Sequence, residues 1–564
     1  MTTPPTAVAA TADTQSTEKS ADRSLLFLFI GLMITMLLAS LNQTVLSTAL
    51  PTIVGELDGV DQMTWVITGY ILASTVVMPV YGRISDLLGR KPVLLVAIGL
   101  FILGSIVGGL AQNIELLIAA RVLQGIGGGG LMILSQAAIA DVVPARERGR
   151  YMGAMGAVFA VSSVAGPLLG GWLTEGPGWR WAFWLNIPLG ILAIAACSVF
   201  LKLPKKDVTD RPKLDYLGMA LVAAATTALV LVVTWGGTTY DWASPQIIGL
   251  IVATVVLAVL FCLAEMRAEH PVIPMALFSD RNFVLTTIAG LMIGVAMFGA
   301  LGYMPTYIQM VTGVSATVAG LLMIPMMGGL LVASVTSGQI VSRTGKYKAF
   351  PIAGSVLIGV GLGLLSTLTV EDPTWLMCTY LAILGVGIGL AMQLLTLIVQ
   401  NSFPGAIVGT ATAAANYFRQ VGATLGSAVV GSIFASRLIT ILSEKLSSSG
   451  ADLGAANSDD FRKHLTPAGV NQLPDQLRDP IIHAYNDALL PIFLFLVPLA
   501  AIALIALLFI EPKPLATSVH EEITAESLAE GQLLERVDDT DGISAFDALA
   551  PDEETEPDAP KSRV

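Results

Sequence analysis

A short stretch of the chain, YGRISDLLGRKP, places a carboxylate among basic side chains and brackets it with glycines. The glycines are Gly82 and Gly89, and Asp86 lies between Arg83 and Arg90. A carboxylate in this setting can hydrogen-bond to a neighbouring arginine or to the open backbone amides at the start of a helix. Such an interaction contributes about 0.3–1 kcal/mol, so it is easily made and broken. The stretch therefore predicts either a latch between two conformations or a topology signal that holds positive charge in a turn.

The elements that position this stretch are strongly apolar. Of the 564 residues, 54% are hydrophobic and 13% are charged, and the mean hydropathy is +0.74. A soluble globular chain is typically about one quarter charged. A helix that crosses a bilayer needs roughly 20 apolar residues, and residues 25–50 contain no charge. We therefore predict an all-α polytopic membrane protein embedded in a lipid bilayer.

Apolar runs divide the chain into fourteen predicted spans. Alternate short loops carry lysine and arginine, as at 83–91 and 146–150, whereas the loops near 51–62, 237–245 and 370–374 carry neither. Because positive charge concentrates in cytoplasmic loops, both termini are expected on the cytoplasmic side of the membrane.

Short motifs recur in order at a nearly constant spacing, which indicates an internal duplication. LPTIV at Leu50 returns as MPTYI at Met304, and GRISDLLGRK at Gly82 returns as GQIVSRTGKY at Gly338, with Ser342 in the place of Asp86. Many secondary transporters are built from such repeats, with the substrate site between the halves.

The duplication and the shifts in composition predict the division of the chain. The predicted segments are a disordered N-terminus 1–23, a six-helix bundle 24–203, an inserted helix pair with its linkers 204–281, a second six-helix bundle 282–510 containing a long outer loop 437–486, and a disordered tail 511–564. The tail holds 15 acidic and 4 basic residues, a balance typical of disorder. The outer loop is expected to form either a small helical cap or a plain linker.

Several motifs, taken in order, resemble the signature of the major facilitator superfamily. The charged stretch matches that family's loop 2–3 motif, RVLQGIGGGG from Arg121 is similar to its membrane-arginine motif, and AGPLLGGWL from Ala165 is similar to its antiporter Gly-Pro motif. WRWAFWLNIPLG, HPVIPMALF and NYFRQVGATLG are similar to the fourteen-span drug:proton antiporters of the QacA/EmrB type. The resemblance implies two pseudo-symmetric six-helix bundles plus an inserted helix pair. It implies a conformational latch at Gly82, Arg83, Asp86, Gly89 and Arg90, and a helix kink at Gly166, Pro167 and Gly170.

One position departs from this resemblance. Asn42 stands where related exporters commonly carry an aspartate, and an amide neither binds a proton nor pairs with a cation. No predicted span holds a carboxylate at mid-depth, whereas Arg121 and Arg419 lie inside spans, where charge is costly and usually functional. We therefore predict a central cavity, neutral or electropositive, that involves Asn42, Arg121, Gln124 and Arg419. For Asn42, a hydrogen bond between helices is an equal alternative.

Other polar side chains are candidates for contact with the substrate, although ordinary packing is the commoner role of any one of them. These candidates are Tyr307, Gln309, Gln393 and Asn416. The proton site is expected at a carboxylate near a helix end, such as Glu175 or Asp61, or on the substrate itself.

Together these features predict a secondary active exporter of drugs or metabolites that works by alternating access and proton antiport. Anionic, zwitterionic or neutral amphipathic substrates are favoured over dications, since the cavity offers a buried cation no carboxylate. The alternatives are a proton-coupled importer of an anionic nutrient, a lipid or glycolipid transporter, and a membrane sensor. We expect a monomer in the cell membrane.

The sequence carries no motif for catalysis. It contains no G-x-S-x-G, HExxH or P-loop pattern, and its three cysteines lack metal-ligand spacing. We therefore expect no enzymatic activity, no cofactor, no metal and no nucleic-acid partner.

Overall fold

The computed structural model of the protein describes the backbone of residues 7–57, 62–201, 214–237, 239–448, 467–470 and 475–517. Within these ranges, side chains are described from Leu25 onwards, apart from residues 316, 446–448, 467–468 and 475–477. The predictions for Asp61, for most of the linker before the inserted helix pair, 204–213, and for most of the tail, 518–564, therefore concern residues outside the described part.

The N-terminal half consists of six spans, the last of which is broken into two helices. Its helices are α1 Ala7–Glu56, α2 Met63–Leu88, α3 Arg90–Gly109, α4 Ile114–Val142, α5 Ala145–Glu175, α6 Trp181–Trp184 and α7 Asn186–Phe200. Asn113 caps α4, since its Oδ1 accepts a hydrogen bond from Leu116 N at 2.8 Å. Gly89 joins α2 to α3 with a φ of 88°, a conformation that glycine adopts at little cost. This single-residue turn holds the charged stretch at the adjoining ends of two helices.

Two inserted helices follow, α8 Tyr216–Trp235 and α9 Pro245–Glu265. Asp215 caps α8 and Ser244 caps α9, where Pro245 occupies the first turn, a position that tolerates its missing amide. α8 packs against α2 of the first half and against a helix of the second half. α9 packs mainly on α8 and leaves most of its apolar side chains exposed, as expected of a helix that faces lipid.

The C-terminal half begins after a short 3-10 helix, Met275–Ser279. Its helices are α10 Arg281–Leu301, α11 Met304–Thr312, α12 Ala316–Leu322, α13 Ile324–Thr344, α14 Ala349–Leu365, α15 Thr374–Gln400, α16 Val408–Ser448, α17 Pro467–Val470 and α18 Asp475–Leu508. Pro305 and Pro325 lie in the first turns of α11 and α13. They divide two apolar spans, Arg281–Thr312 and Thr317–Thr344, into shorter helices.

The two halves repeat one packing pattern. In the first, α1 packs on α5 and α7, and α4 packs on α2 and α3; in the second, α10 packs on α16 and α18, and α15 packs on α13 and α14. The halves meet where α5 contacts α13 and where α2 contacts α16, and these two pairs are equivalent in the duplicated pattern. The prediction of an all-α fold with two pseudo-symmetric bundles is confirmed.

The number of spans also agrees with the sequence. Thirteen apolar helical segments of the described chain are long enough to cross a bilayer, and Ala349–Leu365 is a shorter fourteenth. The described residues form no strand, only an isolated bridge between Gly236 and Tyr240. One end of the bundle, which we call the basic end, carries the α2–α3, α4–α5 and α13–α14 turns and the arginines Arg90, Arg146 and Arg343.

The predicted outer loop 437–486 is largely helical in its described parts. α16 continues to Ser448, and α18 already begins at Asp475. Lys445 Nζ lies 2.7 Å from Asp487 Oδ2, so the two helix extensions are joined by an ion pair. Both ends of the predicted loop are therefore extensions of the neighbouring helices, and residues 449–466 and 471–474 lie outside the described part.

Both predicted disordered ends differ from expectation where they are described. The backbone of α1 is helical from Ala7, within the predicted disordered segment 1–23. At the other end, residues 511–517 lie against the basic end of the bundle, and we call them the C-terminal strap. The backbone of the strap forms hydrogen bonds with the bundle there. For example, Lys513 N donates to the Tyr347 hydroxyl at 2.7 Å. Charge balance alone predicted disorder because it does not register such local partners.

Candidate functional site

The charged stretch forms a contact between the two halves at the basic end. Asp86, in the last turn of α2, is buried and faces the first turn of α16. Its Oδ2 accepts hydrogen bonds from Thr410 N at 2.6 Å and from Thr410 Oγ1 at 2.7 Å. A carboxylate at the amino end of a helix also complements the helix dipole. The latch residue predicted from sequence is therefore bonded across the two halves.

Arg90 ties this contact to two further segments. Its guanidinium lies 3.4 Å from Asp86 Oδ1 and 2.6 Å from Asp141 Oδ2, and it donates to Gly405 O at 3.2 Å. The side chain of Arg90 is only 4% exposed, so these partners replace the water that it has lost. Asp141, at the end of α4, completes the cluster, and no spacing pattern in the sequence linked it to Arg90.

Two glycines let the helices approach at this contact. A Cβ at Gly409 would overlap the Asp86 carboxylate, and a Cβ at Gly82 would overlap Ala413. Since both neighbours belong to the opposite half, a side chain at either position would push α2 and α16 apart. We call the set Gly82, Asp86, Arg90, Gly409 and Thr410 the acidic gate.

The equivalent contact between α5 and α13 uses a neutral residue. Ser342 Oγ accepts a hydrogen bond from Arg150 N at 3.0 Å, and Arg146 donates to Ser342 O at 3.3 Å and to Arg343 O at 3.0 Å. Ser334 Oγ further along donates to Gly153 O at 3.0 Å. Ser342 thus takes the role that Asp86 has in the first half, but without a charge.

The C-terminal strap reaches both halves at the basic end. Ala516 O accepts a hydrogen bond from Arg146 N at 3.0 Å in the first half. In the second half, the Tyr347 hydroxyl donates to Lys513 O at 3.2 Å, and Arg281 lies 2.6 Å from Glu511. Burial raises the pKa of Tyr347, so the phenol remains neutral and holds the strap through hydrogen bonds.

The predicted cavity residues of the first half form one buried network. Arg121 is 2% exposed, and its Nη1 donates to Gln124 Oε1 at 2.8 Å while its Nε donates to Val66 O at 3.2 Å. Its guanidinium stacks over the Tyr70 ring at 4.3 Å, a favourable cation–π geometry. In the described part of the chain no carboxylate pairs with Arg121. The charge is therefore balanced by dipoles and an aromatic face.

Asn42 belongs to the same network as an acceptor. Its Oδ1 receives hydrogen bonds from Gln124 Nε2 at 3.4 Å and from Asn186 Nδ2 at 3.1 Å. Ser105 Oγ accepts from the same two donors at 2.8 Å and 3.2 Å. The Asn42 Nδ2 is buried and has no hydrogen-bond partner among the described residues. Asn186 and Ser105 were missed, although Asn186 lies within the WRWAFWLNIPLG motif.

In the second half, Asn416 and Arg419 lie together on α16. Arg419 donates to Asn416 Oδ1, and both side chains line a narrow cavity among α10, α15 and α16. Thr286 and Thr412 line the same cavity, and their buried hydroxyls have no hydrogen-bond partner in the described structure. A guanidinium with two unused hydroxyls nearby is a set of groups suited to an anionic or strongly polar ligand.

Gln136 joins this cluster to the first half. From α4, its Oε1 accepts a hydrogen bond from Asn416 Nδ2 at 3.1 Å, and its backbone carbonyl accepts from Gln400 Nε2 at 3.2 Å. Gln136 and Gln400 were not predicted from the sequence. The signal available in the sequence was a glutamine within an apolar span, and the structure shows that Gln136 is buried there.

The remaining predicted contact residues are placed differently. Tyr307 is buried in the second half, where its hydroxyl donates to Asn486 Oδ1 at 2.8 Å. Gln309 donates to Pro305 O, one turn back on its own helix. Gln393 lies at the α5–α13 contact beside Gly156. The structure thus brings Gln393 and Asn416 to the boundary between the halves and leaves Tyr307 and Gln309 away from it.

The Gly-Pro motif packs α5 against α1. α5 continues through Pro167 without a break, although proline lacks an amide and bends helices. A Cβ at Gly166 would overlap Thr44, and one at Gly170 would approach Val45 O at 2.7 Å. Thr44 Oγ1 donates to Ser162 O at 3.1 Å. The motif therefore provides a close, smooth contact between two helices of the first half.

Comparison with known proteins identifies the family. The family model of the Major Facilitator Superfamily matches residues 32–427. The chain belongs to the major facilitator superfamily. The family predicted from the motifs is thereby confirmed, and the protein is a transporter rather than an enzyme.

Named relatives cover most of this transporter. The MFS-type transporter Rv1877 of Mycobacterium tuberculosis is 42% identical over 506 residues, which are 89% of this chain and 72% of that protein. Multidrug transporter protein MdtP of Bacillus subtilis is 35% identical and covers 76% of this chain and 78% of its own. Multidrug resistance protein 3 of Bacillus subtilis is 32% identical and covers 86% of this chain and 94% of its own.

Solved structures share the fold of this transporter. The human organic anion transporter MFSD10 superposes with a TM-score of 0.57 at 15% identity, covering 86% of this chain and 99% of its own. A double-tryptophan mutant of XylE superposes with a TM-score of 0.58 at 14% identity, covering 89% of this chain and 98% of its own. At these identities the likeness concerns the fold alone.

Proposed function

We propose that this transporter is a proton-driven exporter of amphipathic small molecules in the cell membrane, with both termini in the cytoplasm. The acidic gate is the observation that carries the proposal. It joins the halves at the basic end through hydrogen bonds and an ion-pair cluster that can break and reform without loss of the helices. Closure at this end directs the space between the halves toward the opposite face, as alternating access requires.

The charges of the two polar clusters favour substrates that are not dications. Arg121 and Arg419 have no carboxylate partner among the described residues, and Asn42 is an amide. A buried cation in such surroundings would meet repulsion without compensation. Anionic, zwitterionic and neutral amphipathic compounds are therefore the preferred class.

The cavity at Arg419 is the proposed docking point for the polar end of the substrate. Arg419, Asn416, Thr286 and Thr412 line it, and the Gln136 bridge lies next to it. A ligand that binds there would compete for Asn416, which bonds across to the first half. Binding would in this way weaken one contact between the halves and favour their movement.

The relatives support export rather than uptake. Two bacterial relatives bear names that state multidrug transport or multidrug resistance, and a fungal relative from Dothistroma septosporum, 32% identical, is named an efflux pump. The proposal extends this class of activity to the present chain.

Uptake into inside-out vesicles tests the proposal. The panel contains one anionic, one neutral and one dicationic fluorescent compound, each with and without a proton gradient. We expect accumulation of the anionic and neutral compounds that requires the gradient. Accumulation of the dication alone would overturn the substrate class, and accumulation only in right-side-out vesicles would overturn the direction.

Variants at the cavity sharpen this test. Arg419→Gln removes the guanidinium and should reduce transport of the anionic compound more than that of the neutral one. Arg478→Gln, at a partly exposed arginine on α18 that lies 3.6 Å from Asp479, is the matched control and should behave as the unchanged protein. An equal loss for both compounds in Arg419→Gln would argue against a docking role.

A further inference from the structure

The inserted helix pair brings two carboxylates together near the acidic gate. Glu265 ends α9 and is 3% exposed, and Asp215 precedes α8 as its N-cap. One oxygen of each is engaged: Glu265 Oε2 accepts from Ile273 N at 3.0 Å, and Asp215 Oδ1 accepts from Gly218 N at 2.8 Å. The second oxygens, Glu265 Oε1 and Asp215 Oδ2, are buried and have no hydrogen-bond partner in the described part of the chain.

Gly218 shows that these two unpartnered oxygens are neighbours. A Cβ at this position would overlap both Glu265 Oε1 and Asp215 Oδ2, so both lie against the same patch of α8. If both neighbouring carboxylates are ionised they repel each other, and burial strengthens this repulsion. One shared proton removes the repulsion and supplies the missing hydrogen bond. The pair is therefore better suited to hold one proton than to remain doubly charged.

Arg83 links this pair with the acidic gate. It lies on α2 less than one turn before Asp86, and the charges of Asp86 and Glu265 both lie within electrostatic range of its guanidinium. Its buried Nε makes no hydrogen bond to a described residue. Among the described residues, the charged groups within electrostatic range of Glu265 are Asp215 from the start of α8 and Arg83 from α2. The positive charge of Arg83 can therefore stabilise a negative charge either on the Glu265–Asp215 pair or on Asp86 of the acidic gate.

We propose that Glu265, together with Asp215, is a proton-binding site of this transporter, and that Arg83 relays its charge state to Asp86. When both carboxylates are ionised, Arg83 is held toward the inserted helices. When the pair takes a proton from the solution at the basic end, Arg83 is freed to stabilise Asp86. Asp215 is half-buried, so it offers the proton a route inward to Glu265.

This site would supply a titratable group that the central network lacks at Asn42. It also gives the inserted helix pair a task, because α8 and α9 contribute both carboxylates. Its use in transport rests on the proposed function, whereas the binding of the proton does not.

Infrared difference spectroscopy on the purified full chain tests proton binding directly. We expect the unchanged protein to gain a protonated-carboxyl band as the buffer is acidified, and Glu265→Gln to lack it. Asp215→Asn keeps an N-capping residue and so should fold. Without the neighbouring charge, its band should appear only in more acidic buffer. The control, Asp241→Asn, changes an exposed carboxylate at the other end of the inserted pair and should leave the band unchanged.

A band that is the same in Glu265→Gln and Asp215→Asn as in the unchanged protein would overturn the proton site. The relay is tested by spin labels at Leu88 and Ala406, exposed residues on opposite sides of the gate, after replacement of the three native cysteines. The label distance should depend on pH in the unchanged protein and not in Glu265→Gln. Equal pH dependence in both would overturn the relay. If the unchanged protein shows the protonated-carboxyl band but no transport that depends on the proton gradient, the result would count against the proposed function and not against the proton site.

Discussion

Asp86 of the first half accepts two hydrogen bonds from Thr410 of the second, one from the backbone amide and one from the hydroxyl. The Asp86 carboxylate is charged and buried, and it lies against the first turn of α16. Each of these properties strengthens the contact. The equivalent contact in the duplicated pattern joins Ser342 to Arg150 N at 3.0 Å. One contact is therefore charged and the other is neutral, so the two sides of the closed end differ in strength.

Asp86→Ala should weaken closure of the basic end and reduce transport, while the protein still reaches the membrane. A hydrogen bond to a charged group contributes about 1.5–3 kcal/mol, which is roughly a tenfold to hundredfold change in the closing equilibrium. Arg90 keeps Asp141 as a partner at 2.6 Å, so the fold should survive. The distance between spin labels at Leu88 and Ala406 measures closure, and vesicle uptake measures transport.

Asp86→Asn is a milder substitution at the same position, and it tests whether the effect depends on the charge of Asp86. Its amide oxygen can still accept one hydrogen bond from Thr410, so its effect should lie between those of the alanine variant and the unchanged protein. If Asp86→Ala transports normally at equal expression, the contact is a topology feature and not a latch.

Gly409→Ala should hold the basic end open by steric overlap. A Cβ at this position meets the Asp86 carboxylate, which is fixed by Thr410 and Arg90. The matched control is Gly99→Ala, since a Cβ at Gly99 meets nothing within 4 Å. The label distance should lengthen in Gly409→Ala and stay unchanged in Gly99→Ala. A closed distance in both would mean that α16 can shift without breaking the gate.

The sequence predicted the fold more completely than the site. Long apolar runs, the repeated motifs and the Gly89 turn are local signals, and the helices follow them closely. The partner of Asp86 was not predictable, because Thr410 is 324 residues away and only the packing of α2 on α16 brings it near. Asp141, Asn186 and Gln136 were missed for the same reason.

The location of polar residues within a span was also insufficient to predict exposure. Tyr307 and Arg121 both occupy spans, yet Tyr307 bonds within the second half and Arg121 is enclosed by the first. Periodicity identifies the faces of a helix but does not say which face meets the neighbouring bundle. The residues at the boundary between halves, such as Asn416, emerge only from the packing of α4 and α16.

Removal of the C-terminal strap should loosen the closed basic end. A chain that ends at Ile510 loses the bond from Arg146 N to Ala516 O, which crosses to the first half, and the contacts at Tyr347. A neutral hydrogen bond contributes about 0.5–1.5 kcal/mol. The ratio of open to closed molecules, measured by the distance between the labels, should therefore rise roughly twofold to tenfold. A chain that ends at Ser518 keeps the strap and is the control. If both truncated chains show the same distances, the strap does not contribute to closure.

Asn186 should tolerate replacement by aspartate less well than Asn42. Asn42 acts as an acceptor, and its Nδ2 has no partner among the described residues. Asn42→Asp therefore loses no hydrogen bond and places a carboxylate near Arg121. Asn186 instead donates to Asn42 Oδ1, to Ser105 Oγ and to Ala182 O. Asn186→Asp removes those bonds and sets a charge against acceptors, at a cost of about 1–3 kcal/mol or more.

Thermal unfolding of the purified proteins distinguishes the pair, since Asn186→Asp should melt at a lower temperature and Asn42→Asp should not. Asn42→Asp should also raise the export of a cationic compound relative to an anionic one, because the new carboxylate offsets the charge of Arg121. An equal fall in melting temperature would mean that the amide of Asn42 has a partner of its own. An unchanged ratio of cation to anion export would place the substrate away from this network and leave the cavity at Arg419 as the site that sets charge preference.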